Sequence, residues 1–188
     1  MWVRAPSDVF NKTYKGDLFM QHKKFHSYTY GRVNLSDIAK HLLDFYNKNK
    51  IYNADFTITI GTDSQNFYNT TKIVNVISII CKGHCGIFFY NVSHLDCISD
   101  IRNKLREETK ESLEIAEELV NILQDNEIYY EMFLDVPIQL HIDAGNTDKN
   151  KTKMLVTELI GWVVASGYDA CIKPDSYAAS SIADRISK

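Results

Sequence analysis

Two strand-like stretches each carry an aspartate that has room beside it. From Phe56 to Gln65, apolar residues alternate with small or polar ones, and Ile138–Gly145 repeats this pattern in the same phase. A period of two is typical of half-buried strands. It places Asp63 and Asp143 on the polar faces of their strands. If the strands are parallel neighbours, both carboxylates project from the same side at the same end of the sheet.

A third acid comes from the longest helical pattern, which runs from Asp100 to about Leu123 and contains six glutamates. Most of them fall on the water-facing side of a helical wheel, but Glu108 falls inside the apolar arc. Burying a carboxylate alone is expensive. Glu108 is therefore expected either to pair with Arg102 or Lys104 or to bind a ligand.

Three carboxylates in this arrangement suit divalent magnesium or manganese, which take hard oxygen ligands. In phosphodiester hydrolysis one such ion activates water and a second stabilises the leaving oxygen, at a separation of about 3.5–4 Å. Asp63, Glu108 and Asp143 are therefore candidate metal ligands, with Mg²⁺ or Mn²⁺ as the expected cofactor. The alternative for Asp63 is a carboxylate that only shapes a turn.

Lysines near the second acid are candidates for substrate binding. They are Lys149, Lys151 and Lys153 at the start of a predicted helix, and Lys173 in the last short strand. A helix N-terminus with lysines beside Asp143 can receive a phosphate, although the helix dipole disfavours cations there. The alternative is a solvated basic turn offset by Asp148. The formal net charge is −3, so contact with nucleic acid depends on such a local patch.

Periodicity and turn residues supply the elements that position these groups. They predict a helix from Asn34 or Ser36 to about residue 49, strands at 56–63, 72–82, 86–92, 138–143 and 170–173, and helices at about 147–166 and 174–186. Three antiparallel strands followed by alternating helix and strand indicate a mixed α/β fold, a five-stranded sheet flanked by helices. We expect residues 1–50 to be an N-terminal extension packed on a domain of residues 51–188.

Several ordered motifs resemble the YkuK family of ribonuclease H-like proteins, formerly a domain of unknown function. The motifs are Gly61–Gln65, Glu108–Thr109, His141–Gly145, Asn150–Thr152 and Ile172–Ser180. The resemblance runs from about residue 58 to residue 188. It implies a ribonuclease H-like fold and a nuclease that acts on RNA, DNA or a hybrid by a two-metal mechanism.

The resemblance also implies catalytic roles for individual acids. Asp63 matches the first-strand acid of that fold, Glu108 the helix acid and Asp143 the fourth-strand acid. The fourth acid is either Asp175, at the head of the last predicted helix, or Asp184 within it. Each has a structural alternative, Asp175 as an N-cap and Asp184 as a solvated surface residue.

Two other functions are compatible with these motifs. Gly61-Thr62-Asp63 is similar to the first phosphate loop of actin-like ATPases, but a second glycine-rich loop is missing and the chain is half the usual length. A catalytically silent binding module that keeps the ribonuclease H-like fold is the other alternative, because fold does not fix function. Nucleic acid is the expected partner.

Composition favours a cytoplasmic protein. The N-terminal residues lack the apolar core of a signal peptide, and no run approaches the roughly 18 apolar residues of a membrane span. The four cysteines lie in apolar or strand-like surroundings, so reduced thiols are expected. Cys81 and Cys85 flank His84, but no second ligand pair stands at a spacing typical of zinc sites.

Overall fold

A seven-stranded mixed sheet with helices packed on it forms the centre of the molecule. The computed structural model describes residues 23–144, 150–176 and 186. The elements in chain order are β1 (Phe25–Ser27), β2 (Gly31–Val33), α1 (Leu35–Asn49), β3 (Phe56–Phe67), β4 (Thr70–Cys81), β5 (Cys85–Asp96), α2 (Ile101–Gln124), α3 (Tyr130–Asp135), β6 (Ile138–Ile142), α4 (Asn150–Ala165) and β7 (Asp169–Ile172). The strand order is β2-β1-β5-β4-β3-β6-β7.

The predicted mixed α/β fold is confirmed, but the predicted count of five strands is wrong. The two additional strands, β1 and β2, form an antiparallel hairpin that extends the sheet beyond β5. Each has three residues, too few to show a period of two in the sequence. They are strands because they pair with each other and with β5, and their sequences alone do not show it.

Strands β3, β4 and β5 form the predicted antiparallel meander, with twelve residues in each strand. The predicted end of the first strand near Asp63 is wrong, because β3 continues to Phe67. Strand β4 pairs with β3 along this whole length, from Phe56 to Phe67. Asp63 therefore lies inside a long strand and not at its end.

The predicted parallel pairing of the two acidic strands is confirmed. Strand β6 pairs with β3 from Ile58 opposite Ile138 to Thr62 opposite Ile142. Helix α2 lies in the connection between them, as a parallel crossover requires. Beyond Thr62, strand β3 keeps its antiparallel neighbour β4 but has passed the end of β6. This produces a step in the sheet, immediately before Asp63.

The main hydrophobic core lies on one face of the sheet. Helices α1, α2 and α4 cover that face, where Ile58, Ile60 and Leu140 are buried. The opposite face has a smaller cluster around Val74 and Val76. The predicted last helix lies largely outside the described residues, and residues 173–175 at its predicted start form a turn.

Side-chain caps begin the two longest helices that precede β6. The Asn34 side chain accepts from the backbone N–H of Asp37 at 2.9 Å, and the Asp37 carboxylate accepts from the N–H of Asn34 at 3.2 Å. This reciprocal pair is a capping box, which satisfies backbone donors at the start of α1. Asp100 caps α2 by accepting from the N–H of Asn103. The predicted starts of both helices are thus confirmed.

None of the helices in residues 23–144 and 150–176 is long and apolar enough to cross a membrane. The four cysteines are free thiols.

We expect Leu119→Ala to lower the free energy of unfolding by about 2–5 kcal/mol, because it removes a fully buried side chain from the main core. Leu134→Ala is the matched control, since Leu134 is 84% exposed. Urea denaturation of both variants and the unchanged chain measures the two effects. Equal losses of stability would contradict the assignment of Leu119 to the core.

Candidate active site

Glu108 is the most deeply buried of the candidate acids, with 7% of its surface exposed. Helix α2 lies over β3 here, and the hydroxyl of Ser64 donates to Glu108 Oε1 at 2.6 Å. The Lys104 ammonium donates to the backbone carbonyl of Ser64 at 2.9 Å. The partner given by the structure is thus Ser64 and not the predicted Arg102 or Lys104. Lys104 contributes a nearby positive charge instead.

A row of buried polar side chains fixes α2 on the sheet beside Glu108. Thr62 donates to Asn75 Oδ1 at 2.8 Å, and its oxygen lies 2.8 Å from the hydroxyl of Ser112 on α2. Because Thr62 has one hydroxyl proton, Ser112 is the donor in the second bond. Asn75 also donates to Glu111 at 3.3 Å, and Glu111 forms an ion pair with Lys23. These bonds fix the position of α2, and with it Glu108, relative to β3.

The pKa of Glu108 identifies its electrostatic neighbours. Burial raises this pKa from 4.5 to about 8, and the charges of Asp63 and Asp143 raise it too. The hydrogen bond from Ser64 and the charge of Lys104 act in the opposite direction. Glu108 and Asp143 also line one pocket between α2, β6 and α4. The structure therefore brings Asp63, Glu108 and Asp143 into one electrostatic neighbourhood.

Asp63 and Asp143 follow the last paired residues of the parallel strands, Thr62 and Ile142. Neighbouring strands lie about 4.8 Å apart, so the two aspartates begin from adjacent backbone positions. Asp63 pairs with Val74, which belongs to the cluster on the face opposite α2. Strand alternation thus directs Asp63 and Glu108 to the step in the sheet from different faces.

Lys173 occupies the cationic position next to Asp143. Its ammonium lies 2.7 Å from Asp143 Oδ1, and its backbone N–H donates to Ala144 at 3.3 Å. Strand β7 pairs with β6 and so delivers Lys173 to this position. The Asp143 side chain is only 15% exposed, which strengthens the ion pair relative to one on the open surface.

Asp175 lies in the turn after β7 and is exposed. Its backbone N–H donates to the carbonyl of Ile172 at 2.9 Å. Burial raises the pKa of the Cys171 thiol, and the charge of Asp175 adds to this effect. The structure thus brings Asp175 near Cys171, while the alternative fourth acid, Asp184, lies outside the described residues.

Of the lysines predicted at the start of α4, the structure describes the side chain of Lys153, which is exposed in the first turn. Lys149 and the side chain of Lys151 lie outside the described part of the chain. Helix α4 is held against α2 by Arg106, whose guanidinium donates to both carboxylate oxygens of Glu158 at 2.9 and 3.2 Å.

His141 is 2% exposed on β6, opposite Gly61 of β3. Burial lowers the pKa of His141 from 6.5 to about 4. The imidazole is consequently neutral at pH 7. A buried, neutral histidine in a strand is typical of a structural residue.

The donor chemistry of the acids fits a divalent cation, because three hard carboxylates share one neighbourhood and burial disfavours charge on Glu108. Their arrangement is not a preformed ligand set. Within residues 23–144 and 150–176, no three His, Cys, Asp or Glu side chains are grouped so as to hold a metal ion. Ser64 and Lys173 bind two of the acids instead, so an ion would have to replace these contacts.

Comparison with known proteins covers all three acids. A family model described as Ribonuclease H-like matches residues 37–188. The chain is 28% identical over 171 residues to a Bacillus subtilis (strain 168) protein described as "Uncharacterized protein YkuK". That alignment covers 87% of this chain and 96% of the relative. No solved structure matches the chain.

The raised pKa of Glu108 predicts how stability depends on pH. Between pH 4.5 and about 8, folded Glu108 holds a proton that the unfolded chain releases, so its contribution to stability falls as pH rises. His141 acts oppositely between about pH 4 and 6.5, where only the unfolded chain is protonated. From pH 6.5 to 8, the effect of Glu108 is therefore no longer opposed by His141.

We expect Glu108→Gln to raise the free energy of unfolding at pH 8 by about 1–3 kcal/mol, because the amide keeps the Ser64 hydrogen bond without a buried charge. The decline from pH 6.5 to 8 should also become shallower. Urea denaturation at several pH values measures both effects, with the exposed Glu117→Gln as control. A Glu108→Gln variant no more stable than the control at pH 8 would contradict a buried, charged carboxylate.

Proposed function

The chain belongs to the ribonuclease H-like family, and we propose that it is a divalent-metal-dependent nuclease that hydrolyses phosphodiester bonds in RNA, DNA or a hybrid. The observation that carries the proposal is the burial of Glu108 within reach of the charges of Asp63 and Asp143. A scaffold has no need to place two like charges beside a buried carboxyl. A site that receives a cation does.

Asp63, Glu108 and Asp143 would hold Mg²⁺ or Mn²⁺. When bound, such ions activate water and stabilise the leaving oxygen of a phosphodiester. Two features of the chain favour a bound cation. Glu108 is shielded from water, and the side chain of Asp143 is only 15% exposed. Both features strengthen the attraction between the carboxylates and a cation relative to bulk water.

Lys173 has two roles in this proposal. Without an ion, its ammonium neutralises Asp143. If an ion were bound by Asp143, the same ammonium would be available to contact a substrate phosphate one strand away, since β7 borders β6. Lys153, and by their positions in the sequence Lys149 and Lys151, would add phosphate contacts at the start of α4.

The fourth acid is proposed to be Asp175 or Asp184. Asp175 follows β7 closely, and only Lys173 and Pro174 separate it from Ile172, the last residue of that strand. Lys173 contacts Asp143. Asp184 rests on the resemblance in sequence. The reducing cytoplasm is the proposed location, since all four thiols are free, and nucleic acid is the proposed partner.

One observation favours a second candidate, a catalytically silent nucleic-acid-binding module. Lys173 already neutralises Asp143, and Ser64 already holds Glu108. A protein that had lost its metal could be stabilised by these contacts. The two functions differ in their response to manganese and to loss of the aspartates.

For the nuclease, we expect Asp63→Asn and Asp143→Asn each to lower manganese-dependent cleavage by about 100-fold or more, because each removes a charge from the ligand set. Stability without metal should be kept or slightly raised in Asp63→Asn, since like-charge repulsion falls. In Asp143→Asn it should fall by no more than about 1 kcal/mol, because that variant also loses the ion pair with Lys173. The measurements are cleavage of labelled single-stranded and duplex substrates in Mn²⁺, and urea denaturation in EDTA. Asp55→Asn, at an exposed position, is the control.

Two outcomes would contradict this assignment. Cleavage that survives both substitutions would place the chemistry elsewhere. A loss of stability in proportion to the loss of cleavage would mean that the aspartates are structural, because breaking a buried ion pair costs about 3–5 kcal/mol. Absence of cleavage in the unchanged chain, with nucleic acid still bound, would favour the silent module.

We expect Lys173→Ala to lower, by about two- to fivefold, the Mn²⁺ concentration needed for a given rise in melting temperature, which grows with the logarithm of [Mn²⁺]/Kd. The reason is that the variant lacks the ammonium that competes for Asp143, and a half-exposed ion pair has this modest strength. Thermal unfolding at a series of Mn²⁺ concentrations measures it, with the exposed Lys82→Ala as control. A variant that needs more manganese would show that Lys173 supports the ion.

A further inference from the structure

An aromatic cluster lies on the sheet face opposite α2, on the neighbouring strands β1 and β5 and the turn that follows β1. We call it the aromatic platform and define it as His26, Tyr28, Phe88 and Tyr90. The Tyr28 ring meets Phe88 edge-on with centroids 5.8 Å apart and lies 6.3 Å from Tyr90. The His26 ring lies 5.8 Å from Tyr90. These contacts hold Tyr28 in place although it is 82% exposed.

The aromatic platform is not part of the main hydrophobic core. Tyr90 packs at the border of the small Val74–Val76 cluster, on the face away from the helices α1, α2 and α4. Phe88 and Tyr90 are half-buried, and the Tyr28 ring covers them from the solvent side. Exposed groups of large apolar side chains mark binding sites more often than isolated ones do.

The charges around the platform are positive. Residues 24–36 contain Lys24, His26 and Arg32 and no acid, in a chain whose formal net charge is −3. The preceding Lys23 pairs with Glu111 of α2 and does not contribute to this charge. Lys24 and Arg32 are exposed. Arg32 pairs with His26 in the β1–β2 hairpin, so both side chains belong to the platform face. Rings with cations beside them fit an anionic chain that carries flat bases.

The platform shares its sheet face with Asp63, one of the three candidate acids. Strand pairing aligns Tyr90 with Val76 and Val76 with Gly61, and the next row runs from Val92 through Val74 to Asp63. Two strand spacings separate the platform from the Asp63 strand, about 10 Å. Ile186 packs on the Val74–Val76 cluster, and Lys72 donates to its backbone carbonyl at 2.9 Å. A segment of a few nucleotides that joins the platform to Asp63 would therefore pass beside Ile186.

We propose that the aromatic platform binds unpaired bases of single-stranded nucleic acid by stacking, with Lys24 and Arg32 on the phosphates. The inference rests on the proposed function and narrows its substrate to single-stranded RNA or DNA. Aromatic rings on a sheet face bind bases in this way because every base has a flat π-face. A base-paired duplex cannot offer the faces of its bases to Tyr28.

The test is binding of a fluorescein-labelled 15-nucleotide single-stranded RNA to the full chain, followed by fluorescence anisotropy in EDTA. We expect Tyr28→Ala to weaken binding about tenfold, the range for loss of one stacked base. Tyr68→Ala is the matched control, because Tyr68 is fully exposed in the β3–β4 turn, far along the sheet from β1. Arg32→Ala should reduce the salt dependence by about one phosphate contact.

Equal affinity of Tyr28→Ala and Tyr68→Ala would overturn the proposal. So would equal binding of a perfect duplex, or a chain that binds no oligonucleotide at all, as expected if the platform docks a protein. Working in EDTA separates this test from the nuclease. Asp55→Asn, at an exposed position, should bind the RNA like the unchanged chain. Binding in EDTA together with no cleavage after addition of Mn²⁺ would remove the nuclease proposal while leaving the platform supported.

Discussion

Burial of the Glu108 carboxyl between α2 and β3 is the constraint on which the rest of the site depends. A carboxyl at that depth needs a donor, and Ser64 supplies it from the strand that also carries Asp63. The parallel pairing of β3 with β6 then brings Asp143 to the same step in the sheet. The burial of Glu108, its hydrogen bond from Ser64 and the pairing of β3 with β6 thus bring together Asp63 and Asp143, which are 80 residues apart in the sequence.

Nearby lysines offset the negative charge of the three clustered acids only in part. Lys104 acts on Glu108 through its charge, and Lys173 contacts Asp143 directly. Neither cation lowers the pKa of Glu108 to its ordinary value, because burial and the two neighbouring aspartates outweigh Lys104 and the Ser64 hydrogen bond. The described side chains therefore resemble a site held closed by its own lysine and serine more than an empty, preformed ligand cage.

The sequence predicted the parts of this structure that repeat with a regular period. The parallel register followed from the shared phase around Asp63 and Asp143, and the burial of Glu108 followed from the helical wheel. Short or paired features escaped, such as the three-residue strands β1 and β2. The sequence contains one indication of the Ser64 contact. Ser64 continues the apolar face of β3, where a small polar residue needs a hydrogen-bond partner on the element packed against it. Strand ends also escaped, since pairing with β4 carries β3 past Asp63.

The buried polar row formed by Thr62, Asn75 and Ser112 has a consequence for how the chain selects one packing. Apolar stripes alone tolerate a helix that slides by one turn, about 5.4 Å, with a similar contact area. Here such a shift would strand several buried hydroxyl and amide groups at about 1–3 kcal/mol each. The row therefore favours one alignment of α2 on the sheet. Shifted alignments that bury a similar apolar area are disfavoured because they leave these polar groups without partners.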